Sequence, residues 1–170
     1  MPTFYDRFVE CATHWPENTS VEIQHRDSVE SFTYTQLRHM AECVGRWLTQ
    51  NGFNSGARIA ILADNHPRWV AAYLGIIASG CTAVPLDTAF HADQVAKLIK
   101  DSASSLLFCD MKHATVAADA AGHQPRLVFS EAVFDIRIPL VGWKEMRCCA
   151  AGFARAYPEL VPDDATSDAP

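Results

Sequence analysis

The side chains in this chain that could do chemistry are its seven histidines, its six cysteines and the aspartates that close apolar runs. Three histidines stand just after a strand-like run or near a helix start, where active-site residues often lie: His66, His91 and His113. Asp87 and Asp110 follow the runs AVPL and LLFC in the same way. An imidazole within hydrogen-bond reach of a reacting group does general acid–base work, and His with Cys or carboxylate at set spacings holds a metal. The spacings here support neither. There is no H-E-x-x-H, no C-x-x-C and no G-x-S-x-G elbow, so no metal site or serine nucleophile is written into the chain. Nothing in the sequence makes the three histidines converge. His66, His91 and His113 are therefore expected in capping or surface roles, with His14, His25, His39 and His123 at the surface. Asp87 and Asp110 are expected to cap helices or form turns, the commoner use of a strand-ending aspartate.

A phosphate-binding turn fares no better. Neither G-x-G-x-x-G nor G-x-x-x-x-G-K-[ST] occurs, and the turn ADNHP after the run Arg58–Ala63 has no glycine. Glycine is what lets a backbone curl its N–H groups closely around a phosphate, so nucleotide binding is not expected at this turn. The cysteines are Cys11, Cys43, Cys81, Cys109, Cys148 and Cys149. Cys81 and Cys109 lie in apolar strand-like runs and Cys43 in a helical pattern, so buried thiols of a cytoplasmic protein are the expectation. The vicinal pair Cys148–Cys149 offers redox chemistry, but a plain structural role is the commoner outcome.

The elements that must position these residues are legible. Residues 4–15 read as a short helix carrying Phe4, Phe8, Val9 and Ala12 on one side, stopped by Pro16. VEIQH and SFTY flank the polar turn RDSVE and read as a hairpin. Thr35 is placed to cap a helix bearing Leu37, Met40, Ala41, Val44, Trp47 and Leu48, an amphipathic face that Asn51-Gly52 ends. Burying such side chains is worth about 1.5–3 kcal/mol each before entropy is charged.

Ala57–Asp87, ARIAILADNHPRWVAAYLGIIASGCTAVPLD, then gives strand, helix, strand. Asp64 or Asn65 supplies a capping oxygen, and Pro67 fits the first helical turn. The helix is apolar nearly all round, as in one buried on several sides. Asp93–Ser102 is helical, Ser105–Cys109 a buried strand, Met111–Ala121 helical and Arg126–Phe129 a fourth strand. Strands near 58, 82, 106 and 126 separated by helices demand parallel pairing with right-handed crossovers. The fold class is α/β: a partial doubly wound, mostly parallel sheet with flanking helices. Residues 143–155 read as a weaker helix, and YPELVPDDATSDAP as a solvated tail. The division is 1–157 for the domain and 158–170 for a flexible acidic, Pro-containing tail.

The apolar fraction of 49% and charged fraction of 20% are those of a globular chain. A net charge of −6 with no run of Lys or Arg gives no footprint for nucleic acid or anionic lipid. The eighteen uncharged residues from Trp69 to Leu86 reach the lower limit for a membrane span. Gly80, Thr82 and Pro85 divide them into a helix and a strand, so no transmembrane segment is expected. The first residues lack the basic start and apolar core of a secretory signal.

Three stretches together resemble the N-terminal part of the adenylate-forming, AMP-binding acyl-CoA synthetase superfamily. SFTYTQLRHMAECVGRWLTQNGF (Ser31–Phe53) is similar to that family's opening segment. SGARIAILADNHPRWVAAYLGIIASGCTAVPLD (Ser55–Asp87) is similar to its early core motif, with an Asn before a helix and a V-P-L-D ending. ADQVAKLIKDSASSLLFCD (Ala92–Asp110) is similar to the helix–strand that follows. Cys81 departs from the pattern at a position that packing should tolerate.

The resemblance implies an acid–thiol ligase that adenylates a carboxylate with ATP and Mg²⁺, releases pyrophosphate and passes the acyl group to coenzyme A. The wording is most like long-chain fatty acyl-CoA synthetases, so the implied substrate is a fatty acid. The family's phosphate loop, adenine-binding segment, ribose-binding Asp and catalytic Lys match nothing before Pro170. No catalytic, cofactor-binding or metal residue is therefore carried over, and no cofactor is expected on this portion. The expectation is an N-terminal fragment that is inactive by itself. The alternatives are a non-catalytic interaction half-domain, or part of another adenylating enzyme such as an aryl-CoA ligase or a peptide-synthetase adenylation domain.

Overall fold

A computed structural model describes residues 2–121, 126–129 and 134–137. The chain opens with helix α1 (Phe4–His14), followed by a hairpin of β1 (Thr19–Gln24) and β2 (Val29–Thr33). Helix α2 (Tyr34–Gln50) leads to β3 (Arg58–Leu62), α3 (Pro67–Ala78) and β4 (Thr82–Pro85). Then come α4 (Ala92–Asp101), β5 (Leu106–Cys109), a 3₁₀ turn at Met111–His113, α5 (Ala114–Ala121), β6 (Arg126–Phe129) and β7 (Phe134–Arg137). The main sheet has the order β4-β3-β5-β6-β7. Its first four strands are parallel, as the sequence predicts, and β7 returns antiparallel to β6.

The alternation of side chains along β3 explains the layers. Ile59 and Ile61 point to one face, where Val44, Trp47 and Leu48 of α2 and Ile76 of α3 cover them together with Phe108. Ala60 and Leu62 point to the other, against Leu107, Cys109, Val95 of α4 and Ala117 of α5. Beyond the first helical layer, Leu37, Ala41, Ala71 and Leu74 bind α2 to α3, and Tyr5, Phe8 and Val21 pack on them. Helix α3 is thus enclosed between the sheet, α2 and the N-terminal elements, which accounts for its apolar composition. Phe4 is an exception to the expected α1 face: it is exposed and meets Tyr73 edge-on. Among the described residues no helix is long and apolar enough to cross a membrane. Cys43, Cys81 and Cys109 are buried thiols.

The structure moves three helix starts. Helix α2 is capped by Thr33, not Thr35: Thr33 Oγ1 accepts from Gln36 N at 3.2 Å, and Gln36 Oε1 accepts from Thr33 N at 2.8 Å. This reciprocal capping box satisfies two orphan donors at once. Thr35 Oγ1 instead donates to Pro16 O at 3.0 Å. Thr33→Ala should lower stability by about 1 kcal/mol, and Thr35→Ala by less; urea midpoints of the two variants provide the check. Helix α3 is capped by His66 rather than Asp64 or Asn65, and α4 begins at Ala92 after His91. Residues 143–155, Cys148, Cys149, His123 and the tail from 158 lie outside the described residues.

Candidate functional site at the carboxyl ends of the strands

The path of the chain singles out one place on the sheet. From β3 it runs through α3 to β4 on one side, then returns through α4 to β5 on the other side of β3. With crossovers of one hand, reversing direction puts α3 on one face and α4 and α5 on the opposite face, as the two core layers show. The carboxyl ends of β3 and β5 therefore flank the topological switch point, the crevice where open α/β sheets bind ligands.

Asp64, Asp110, Lys112 and His113 meet there. Asp110 follows β5 directly, and its Oδ2 accepts from the backbone N–H of Asp64 at 2.9 Å, across 46 residues of chain. Its Oδ1 accepts from His113 N at 2.9 Å and lies 2.6 Å from His113 Nδ1. With Nδ1 as the donor, one carboxylate accepts three hydrogen bonds and joins the end of β3, the end of β5 and the start of α5. His113 is only 7% exposed. Its Nε2 lies 3.9 Å from Asp64 Oδ1, and Lys112 Nζ is 2.7 Å from Asp64 Oδ2. The hydrogen bond to Asp64, then its charge, hold the Lys112 ammonium above its usual pKa.

The expected capping role of Asp110 is thus correct in part: it caps the turn into α5 and also bridges two strands. The expectation for His113 is corrected. It is neither a cap nor a surface residue, but the buried partner of Asp110. His66 does cap, its Nδ1 accepting from Arg68 N at 3.1 Å. His91 occupies the N-cap position of α4, where its N–H donates to Gln94 Oε1 at 2.9 Å. Asp87 forms a turn, accepting from Ala89 N at 2.9 Å.

Neither Mg²⁺ nor a nucleotide phosphate fits these residues. Mg²⁺ takes octahedral oxygen ligands and keeps several waters. Here both Asp110 oxygens already face N–H donors, Asp64 carries an ammonium, and the third donor is an imidazole nitrogen. A phosphate would need free N–H groups at the start of α3. Pro67 has none, Arg68 N is taken by the His66 ring, and Trp69 N donates to His66 O at 2.9 Å. The neighbouring cleft of about 530 Å³ is lined by Ala63, Asp64, Asn65, Trp69, Leu86, Asp87 and Thr88, and its two carboxylates repel phosphate.

The Asp64–Lys112 pair is itself of little energetic weight. Lys112 is 69% exposed and Asp64 48%, so water and salt screen their attraction. Lys112→Ala is expected to leave the urea midpoint unchanged at physiological ionic strength. A clear drop would show that the pair matters more than its exposure implies.

Comparison with known proteins agrees with the architecture. The family model described as AMP-binding enzyme matches residues 8–142. The chain belongs to the AMP-binding enzyme family, and the matched stretch is that of the family's N-terminal region. It is 36% identical over 92 residues to the 3-hydroxybenzoate–CoA ligase of Aromatoleum sp. (strain CIB), covering 54% of this chain and 18% of the relative. Over 108 residues it is 27% identical to bacitracin synthase 3 of Bacillus licheniformis, covering 64% of this chain and 2% of that protein. Two solved structures share the fold. A benzoate CoA ligase from Burkholderia xenovorans LB400 superposes with a TM-score of 0.71 at 14% identity, over 86% of this chain and 28% of that one. The N-terminal domain of FACL13 from Mycobacterium tuberculosis gives 0.67 at 23% identity, over 77% and 34%. The chain spans under a fifth of the length of these two sequence relatives.

Proposed function

We propose that this chain is the N-terminal scaffold of an AMP-forming acid–CoA ligase. In the reaction, a carboxylate attacks the α-phosphate of ATP, giving an acyl adenylate and pyrophosphate. The thiol of coenzyme A then displaces AMP to give the thioester. ATP, Mg²⁺ and coenzyme A are assigned to other parts of the full-length enzyme, because the strand ends here do not fit phosphate or Mg²⁺. The observation that carries this reading is the family match over residues 8–142 on a mostly parallel sheet whose strand ends at β3 and β5 are bridged by Asp110. The contribution of these residues is to hold a sheet and two helical layers on which the rest of the enzyme is built. Its buried thiols suit a cytoplasmic enzyme.

The resemblance of Ser55–Asp87 to fatty acyl-CoA synthetases makes a fatty acid the proposed substrate. An aromatic acid is the second reading, favoured by the relative named as a 3-hydroxybenzoate–CoA ligase. A split-enzyme experiment tests the scaffold role. A benzoate CoA ligase lacking its matching N-terminal region is mixed with this chain and assayed for benzoate-dependent ATP–pyrophosphate exchange. Recovery of exchange, with neither part active alone, is the expected result. If the two polypeptides co-purify as a stable complex and exchange stays at background, the chain is an interaction module instead.

A further inference from the structure

We draw no further inference here: the strongest candidate, the Asp64–Asp110–His113 cluster with Lys112 in the crevice between β3 and β5, belongs to the site already described, and no second observation among the described residues points to a ligand there.

Discussion

Gly75→Ala is expected to destabilise the chain by about 3 kcal/mol or more, although alanine is the better helix former by about 1 kcal/mol. A Cβ at position 75 would lie 2.5 Å from the carbonyl oxygen of Ala41 and 2.6 Å from Val44 Cβ. Both belong to α2, and the obstruction includes backbone, so a side-chain rotation cannot relieve it. The two helices would have to separate, and that would loosen Leu37, Ala41, Ala71 and Leu74 together. Gly45→Ala is the internal control, because its Cβ would meet Gly75 O at 3.1 Å and Ala78 Cβ at 3.7 Å. A shift of a few tenths of an ångström accommodates that, so the loss should be clearly smaller. Urea denaturation of the two variants gives the comparison. Equal midpoints would mean that α2 and α3 do not approach as closely as described.

Asp110→Ala should cost about 2–4 kcal/mol, since it strips the acceptor from two backbone N–H groups and from a buried imidazole. The effect should be local as well as global. Asp64 N loses its partner, so its amide should exchange with solvent faster than those of Ile59 and Ile61 in the strand behind it. Asp110→Asn keeps the shape and one acceptor oxygen and should lose less. A double-mutant cycle identifies the cause. If the penalty comes from leaving His113 buried without a partner, Asp110→Ala with His113→Leu will cost less than the sum of the single changes. Strict additivity would show that the 2.6 Å contact carries no coupling.

Much of this fold was legible in the sequence because strands and helices are set by local periodicity. Ile59, Ile61 and Phe108 lie in short apolar runs, and Leu37, Ala41, Val44 and Leu48 mark a helical face. The parallel pairing of the first four strands follows from the helical connections; their order in the sheet does not. The helix caps were less legible, since Thr33, Thr35, Asp64, Asn65 and His66 are all competent or near-competent caps. The choice among them depends on where the preceding strand releases the chain. Strand β7 carries little signal in Phe134–Arg137, and it is recognised only by its antiparallel pairing with β6.

The strand-end cluster shows the deeper limit. Asp110 and His113 are three residues apart, and that Asp-x-x-His spacing at a helix start signals a cap. The bond from Asp110 to Asp64 is different, because it becomes visible only once β3 and β5 are known to be neighbours. Lys112 carries no local signal for the same reason. Its partner is 48 residues away.

On the proposed reading, this chain of the AMP-binding enzyme family supplies scaffold rather than chemistry. The most direct measurement is acid-dependent ATP–pyrophosphate exchange by purified chain 1–170, assayed with Mg²⁺ and a panel of aliphatic and aromatic carboxylic acids. The predicted result is background exchange with every acid at every protein concentration tested. Exchange that needs both acid and Mg²⁺, scales with protein and is abolished when the chain is depleted would contradict it.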